Sequence, residues 1–294
     1  MSIIQKLNYS LFNLAYTAKG KVLRSVPFTL VPRARSLHQK LDIAITTYVD
    51  RYDLYFKPLY HSIRKLFPDV NLYIAVNGFH DRIIQEQYLG RFYDELCKES
   101  SGVERFILHD RPVGLTRLWN ELIGQSACRT TLILNDDLKI YPWFRHWINK
   151  ELWSSSVTLI NGTWSHFFIC KDLLDTIGSF DEDFRGIGFE DMDYSARCAY
   201  NKILINNLRC QFIAHLDHQP SRTSFDDRSS TLWGPKYSSI NHETFFKKWR
   251  ICDHDSGIYI KQLKSFVVPV KPLVNKRGHL HLNFVNGVCY PDRD

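Results

Sequence analysis

Residues 130 to 137 read TTLILNDD, an apolar run that ends abruptly in one amide and two carboxylates. An uninterrupted run of apolar and β-branched residues is typical of a strand covered on both faces, as in a parallel sheet. Asp-rich strand ends are also ordinary turn formers, so this stretch alone leaves two interpretations open. The remainder of the chain decides between a plain turn and a polar site at the edge of a sheet.

The chain before this stretch alternates short apolar runs with helix-like segments. Strands are predicted at 42–48, 71–76 and 103–108, and helices at 52–66, 81–99 and 115–128. Strand–helix alternation predicts an α/β fold, with a mostly parallel, Rossmann-like central sheet flanked by helices and ligands at the carboxyl ends of the strands. We expect a catalytic or binding domain at 41–252, preceded by a basic segment at 1–40 and followed by a basic extension at 253–294.

Polar side chains recur where the predicted strands end. The sequence has neither GxGxxG nor GxxxxGK[ST], the usual glycine-rich phosphate cradles. A diphosphate at this edge would therefore need a metal ion, and paired acids suit a hard cation such as Mn²⁺ or Mg²⁺. The strand-end residues are Thr46, Thr47, Tyr48 and Arg51, then Asn77, then Asn135, Asp136 and Asp137.

Residues 179 to 194, SFDEDFRGIGFEDMDY, contain six carboxylates in a chain of formal net charge +7. An acidic helix face would normally carry Lys or Arg four residues away, but Gly186 and Gly188 interrupt this segment. It is therefore either a solvated surface loop or a carboxylate site for a hydroxyl acceptor.

Basic residues dominate both termini. Residues 1–41 contain no acid, and their apolar positions follow the spacing of an amphipathic helix. Such a helix can lie on an anionic membrane surface, but it can equally pack on its own domain or on another subunit of a homo-oligomer. Neither end carries a DNA- or RNA-binding signature, so no nucleic-acid partner is expected.

The sequence predicts a cytoplasmic location. No run reaches the roughly 18 apolar residues that cross a bilayer, and the N-terminus lacks the apolar core of a signal peptide. The seven cysteines are scattered without a CxxC pair, which favours buried thiols over disulfides. Peripheral attachment to the cytoplasmic face of a membrane remains an open alternative.

Five segments in order give the chain a family resemblance: TTYVDRYD, AVNG, RPVGLTRLWN, LILNDDL and GSFDEDFRGIGFEDMDYSARC. Together they resemble a GT-A fold glycosyltransferase of the family 2 type, and the match extends from about residue 42 to 250, ending in NHETFFKKW. The resemblance implies a nucleotide-sugar donor, a glycan or lipid-linked glycan acceptor and a role in polysaccharide biosynthesis. NDD stands where the family has its DxD motif.

The resemblance also implies donor and metal roles. Asp137 is the expected metal ligand, and a histidine after the acidic motif, His215 or His218, is expected to join it. Arg117 would face the donor phosphates, although an exposed helix position is the alternative. Donor and nucleotide contacts are expected from Thr46, Thr47, Tyr48, Arg51, Asn77, Arg117, Asn135 and Asp136.

On the acceptor side, the resemblance implies that Asp191 is the general base that deprotonates the acceptor hydroxyl. Glu190 would support it as the second catalytic acid, and Asp193 would bind the acceptor. Trp164 is expected either to stack on a sugar ring or to pack in the core.

The predicted function is therefore a metal-dependent, inverting glycosyltransferase. Asn77 and Asn135 stand where the family usually has acids, which motivates a non-catalytic carbohydrate- or nucleotide-binding protein as the alternative. A nucleic-acid-binding protein is motivated by the net charge alone.

Overall fold

The computed structural model describes residues 21–27, 37, 40–48, 51–79, 81–97, 104–150, 156–216, 235–249, 266–269, 279–285 and 288–291. Most of the predicted N-terminal helix and His218 lie outside these ranges. The first nine strands are β1 (Asp42–Thr47), β2 (Leu72–Val76), β3 (Glu104–Leu108), β4 (Thr130–Asn135), β5 (Leu138–Ile140), β6 (Val157–Ile160), β7 (Thr163–Cys170), β8 (Ile205–Leu208) and β9 (Ile213–His215).

Seven of these strands form the central sheet, in the order β3-β2-β1-β4-β7-β6-β8. Strands β1 to β4 are mutually parallel, and β7 pairs antiparallel with both β4 and β6. Because β8 is parallel to β6, only β7 runs against the others in this sheet. The predicted α/β class with a mostly parallel central sheet is confirmed.

The strand order reverses between β1 and β4, and such a switch point is where open α/β sheets bind ligands. In register, Thr46 of β1 lies beside Asn135 of β4. Thr47 and Asp136 therefore emerge together at the carboxyl edge. The sheet thus brings the first and fourth predicted strand ends to one place.

Helices cover both faces of the sheet. A π-helical turn, Tyr52–Phe56, leads into the first of them, and another, Tyr93–Cys97, follows the second. The helices are α1 (Lys57–Leu66), α2 (Arg82–Phe92), α3 (Leu115–Gln125), α4 (Phe144–Lys150), α5 (Asp172–Ile177), α6 (Glu190–Tyr200) and α7 (Pro235–Trp249).

An apolar core lies on each side of the central sheet, so its strands are buried on both faces. Ile43 and Ile45 of β1 face a core with Phe56 and Ile63, whereas Ala44 faces a core with Leu118. This two-sided burial explains why TTLIL reads as a continuous apolar run.

Two smaller sheets complete the described part of the chain. Strands β5 and β9 pair antiparallel, so that Leu138 lies opposite His215. The predicted basic extension contains three antiparallel strands, β10 (Phe266–Pro269), β11 (His279–Val285) and β12 (Val288–Pro291). Among the described residues, no helix has the length and apolarity required to cross a bilayer.

Candidate functional site

The carboxylates after β4 are held by residues from the end of β1. The Thr47 hydroxyl donates to Asp136 Oδ2 at 2.9 Å, and Arg51 Nε donates to Asp136 Oδ1 at 2.6 Å. Arg51 Nη2 also lies 3.2 Å from Asp137 Oδ2. One guanidinium therefore joins both acids of the NDD sequence, while Thr46 Oγ1 donates to Asn135 Oδ1 over a longer 3.4 Å.

Burial shapes the electrostatics of this strand end. Burial raises the pKa of Asp136 to about 7, while Arg51 and the Thr47 hydrogen bond act in the opposite direction. Burial alone would lower the pKa of Arg51, but Asp136 and Asp137 raise it above its usual range. The guanidinium is therefore a permanent positive charge at the switch point.

His215 lies beside Asp137, and His166 lies beside His215. His215 Nδ1 is 3.7 Å from Asp137 Oδ1, because the pairing of β5 with β9 places His215 opposite the residue after Asp137. His166 on β7 lies opposite Leu134, and its ring centroid is 5.3 Å from that of His215. No role was predicted for His166 from the sequence.

His166 is buried, with 1% of its surface exposed. Neither of its ring nitrogens has a hydrogen-bond partner among the described residues. Burial and the neighbouring His215 lower the pKa of His166 to about 3, so the imidazole is neutral at physiological pH. Its nitrogen lone pair is therefore available to a metal ion.

The types of donor atom at this edge are those that a divalent metal ion accepts. Within the described ranges, no three His, Cys, Asp or Glu side chains are already spaced around one ion position. The carboxylate of Asp137, the adjacent His215 and the orphaned imidazole of His166 nevertheless supply oxygen and nitrogen donors of the type that Mn²⁺ accepts.

The acidic segment 179–194 divides into neutralised and uncompensated carboxylates. Asp193 is fully buried and bonds Arg197 Nε at 3.0 Å, Lys248 Nζ at 2.8 Å and Trp249 Nε1 at 2.9 Å. Lys248 also pairs with Asp181. Glu190 and Asp191, in the first turn of α6, form no ion pair among the described residues.

Two asparagines fix the backbone of this segment. Asn120 exchanges hydrogen bonds with the backbone of Phe180, each at 2.9 Å. Asn241 accepts from Arg185 N at 2.9 Å and donates to the carbonyls of Arg185 and Gly188 at 2.7 and 2.9 Å. The segment is therefore built into the domain by both of its ends, which argues against a merely solvated loop.

Phe189, immediately before the two acids, has a left-handed backbone with φ of 69°. Left-handed backbone is uncommon for an aromatic residue and is disfavoured by roughly 1–2 kcal/mol. The ring of Phe189 is held against His242 and Phe245, with centroids 5.5 and 5.6 Å apart. This conformation turns the chain directly into the helix that carries Glu190 and Asp191.

Tyr48 connects the two acidic regions. Burial raises the pKa of its phenol well above the usual value, and the charges of Asp136, Glu190 and Asp137 raise it further. The carboxylate of Glu190 thus acts on the same hydroxyl as the two acids after β4. Residues more than 50 positions apart in the chain form one polar site.

Burial and mutual repulsion change the titration of the two acids on α6. Burial, followed by the charge of Asp191, raises the pKa of Glu190 to about 8. Burial also raises the pKa of Asp191, which accepts a hydrogen bond from the Met192 amide at 2.8 Å. A carboxylate with a raised pKa is a stronger proton acceptor than an ordinary one.

The surroundings of three predicted contact residues favour structural roles. Asn77 is fully buried and uses its amide to bond Val113 O and Val113 N, both at 2.9 Å, so it positions a loop. Trp164, with 5% of its surface exposed, packs edge-on against Phe167 at 5.0 Å and leaves no open face for a sugar. Asp193 is an internal ion-pair partner of Arg197 and Lys248.

Arg117 lies apart from Arg51, on the exposed side of α3. Its side chain is 52% exposed and pairs with Glu121 at 2.9 Å. It borders a cavity of about 330 Å³ between the start of α3 and the acidic segment. The cavity is lined by Pro112, Val113, Gly114, Thr116, Arg117, Glu182, Phe184, Arg185 and Gly186.

Comparison with known proteins adds a distant structural likeness. No protein-family model and no curated protein matches the chain. Among solved structures, the chain is similar to the mannosyltransferase PcManGT from Pyrobaculum calidifontis in complex with GDP-Man and Mn²⁺. The identity is 10%, the match covers 82% of this chain and 79% of that chain, and the TM-score is 0.47. A likeness this remote carries no argument about activity.

Proposed function

We propose that the chain is a metal-dependent, inverting glycosyltransferase that moves a sugar from a nucleotide-diphosphate donor to a glycan or lipid-linked glycan acceptor. The observation that carries the proposal is the contrast between two acidic regions, the first of which lies at the switch point between β1 and β4. One region pairs its acids with Arg51, and the other leaves Glu190 and Asp191 without a cationic partner among the described residues. A transferase needs both a site for donor charge and a proton acceptor.

The donor would bind at the switch point between β1 and β4, where Thr46, Tyr48 and Asn135 line the edge. Asp137 and His215 would hold the metal ion. When bound, Mn²⁺ or Mg²⁺ would offset the negative charge that develops on the departing diphosphate. Arg51 keeps Asp136 and Asp137 together and adds a positive charge at the same edge.

Asp191 would act as the general base. It takes the proton of the acceptor hydroxyl while that oxygen forms the bond to the anomeric carbon and the bond to the diphosphate breaks. Glu190, with its pKa raised to about 8, would keep a proton at neutral pH and limit the negative charge beside Asp191. The asparagine contacts of the acidic segment fix the position of this base.

The order of the five sequence segments supports the same class of enzyme. The alternative, a non-catalytic binding protein, is favoured by Asn77, whose amide is occupied by the loop backbone where the family has an acid. The two functions differ in one observable property, which is turnover of the donor.

The direct test has two stages. Nucleotide-diphosphate sugars are first screened with Mn²⁺ for a rise in melting temperature, because a ligand that binds the folded state stabilises it. Each stabilising donor is then incubated with glycan acceptors and with water, and release of nucleoside diphosphate is measured. Stabilisation without transfer or hydrolysis would favour the non-catalytic alternative, and no stabilisation by any donor would contradict the proposal.

The basic N-terminal segment extends the proposal to the cytoplasmic face of an anionic membrane, where a lipid-linked acceptor would be found. Sedimentation with anionic liposomes tests this location. The full chain is expected to co-sediment more strongly than a truncated protein beginning at Asp42, and the difference should shrink at high salt. Equal sedimentation would exclude an N-terminal membrane contact.

A further inference from the structure

His166 occupies a position that its surroundings do not explain. It lies on β7 two residues before Phe168, and these two residues pair with Leu134 and Leu132 of β4. Leu132, Leu134 and Phe168 belong to the same apolar core, so an apolar side chain would be expected at position 166. A buried imidazole without a hydrogen bond is unfavourable by about 1–3 kcal/mol. A buried polar group of this kind normally has a partner, such as a hydrogen-bonding group, a water molecule or an ion.

The side chains near the ring of His166 indicate which partner this is. The ring of His215 is 5.3 Å away between centroids, and His215 Nδ1 is 3.7 Å from Asp137 Oδ1. The other oxygen of Asp137 faces Arg51. The pairings β4–β7 and β5–β9 place His166 beside His215 and His215 beside Asp137, although without a metal ion no three ligand side chains of the described residues are spaced around one ion position.

We propose that His166 is itself a metal ligand, so that Asp137, His166 and His215 form a centre of one carboxylate and two imidazoles. This inference rests on the proposed function only for the role of the metal, because ion binding by the three side chains does not depend on transfer. It replaces the sequence-based expectation of a site provided by Asp137 with His215 or His218.

The donor set has a consequence for the choice of ion. Mg²⁺ prefers oxygen ligands and keeps several waters, whereas imidazole suits transition-metal ions. A centre with two imidazoles is therefore selective for Mn²⁺ or Co²⁺ over Mg²⁺.

The test measures ion binding by the full-length, metal-free protein in the absence of donor and acceptor. Co²⁺ is titrated while its visible absorption bands are recorded, and Mn²⁺ and Mg²⁺ are titrated by calorimetry. We expect Co²⁺ and Mn²⁺ to bind and Mg²⁺ to bind at least about tenfold more weakly. His166→Gln should weaken Co²⁺ binding at least about tenfold, given that even outer-shell partners of a metal site contribute that much.

The matched control is His61→Gln, because His61 is exposed on α1. Its Co²⁺ affinity and spectrum should equal those of the wild type. Circular dichroism and thermal unfolding without metal establish that both variants are folded. A folded His166→Gln protein with unchanged Co²⁺ affinity would overturn the proposal, as would equal affinity for Mg²⁺ and Mn²⁺.

A second measurement needs no variant. Anomalous diffraction from Co²⁺-soaked crystals of the wild type should locate the ion about 2.1 Å from a ring nitrogen of His166. An ion bound to Asp137 and His215 but remote from His166 would disprove the inference while leaving the proposed function intact. An ion bound by all three residues in a protein without transferase activity would support the inference and contradict the proposed function.

Discussion

At the end of β4, Asp136 and Asp137 share the guanidinium of Arg51, whereas at the start of α6, Glu190 and Asp191 have no cationic partner among the described residues. Both pairs are adjacent acids at the end of a secondary-structure element. The Arg51 guanidinium opposes the rise that burial causes in the pKa of Asp136 and holds both carboxylates in place, as suits the binding of a cation or a phosphate. Burial without a counter-charge raises the pKa of the second pair, as suits proton transfer.

The largest expected effect is that of Asp191→Asn, which removes the proton acceptor but keeps the shape of the side chain. Turnover should fall by about 10³-fold, because a general base contributes on the order of 10²–10⁴. Donor affinity, measured by calorimetry, should be unchanged. Asp183→Asn, an exposed change in the same segment, is the control and should keep wild-type turnover. Near-normal turnover of Asp191→Asn would remove the distinction between the two pairs.

Arg51→Met tests the neutralised pair. It leaves a buried carboxylate without its counter-charge, so the free energy of unfolding should fall by about 3 kcal/mol. Arg129→Met is the matched control, because Arg129 pairs with Asp172 on the surface and should contribute much less to stability. Urea unfolding measures both. Equal losses would mean that the pairing at the end of β4 is no stronger than a surface ion pair.

Glu190→Gln tests the uncompensated pair through its pH dependence. With a folded pKa of about 8, above its ordinary value of 4.5, Glu190 binds its proton more tightly in the folded state. Its contribution to the free energy of unfolding therefore falls as pH rises from about 5 to 8. The variant should remove this slope and be more stable at pH 8 by on the order of 2 kcal/mol. The exposed Glu243→Gln should retain the slope.

The smallest expected effect is that of Asn241→Ala, which should impair the region of Glu190 and Asp191 and leave the region of Asp136 and Asp137 unaffected. It removes the hydrogen bonds to Arg185 and Gly188, which lowers the free energy of unfolding by at least about 1 kcal/mol because buried backbone groups lose their partner. Turnover should fall, since the base is less well positioned, while Mn²⁺ affinity stays the same. Thr244→Ala on the same helix is the control. A parallel loss of Mn²⁺ affinity would show that the two regions are not independent.

The fold could be predicted from the sequence because burial on both faces leaves a local signal. Apolar runs such as DIAITT and TTLILN correspond to β1 and β4, and both end where their polar residues begin. The joining of Thr47 with Asp136 follows from the parallel pairing of two neighbouring strands. The antiparallel direction of β7 was not predicted, because a short apolar run has the same sequence pattern whether its strand is parallel or antiparallel to its neighbours.

Several side-chain roles could not be predicted because they depend on distant residues. Asp193 and Asp191 look alike in FEDMDY, yet Arg197 and Lys248 pair with Asp193 and not with Asp191, and Trp249 donates a hydrogen bond to Asp193. Trp164 faces Phe167 and Phe180 instead of solvent. Two of the three partners of Asp193 come from α7, more than 50 residues away. The sequence around FEDMDY contains no signal that predicts these contacts.

The α/β architecture, the polar strand ends and the segment that holds the second pair of acids can all be predicted from the amino-acid sequence. Apolar periodicity and abrupt polar strand ends are local properties of the chain, and they can be recognised without its fold. The tertiary structure alone decided which acids are neutralised, that His166 lies beside His215 and that Tyr48 joins both acidic regions. Charge compensation and burial depend on neighbours that only folding brings together, and they set the chemistry of each carboxylate.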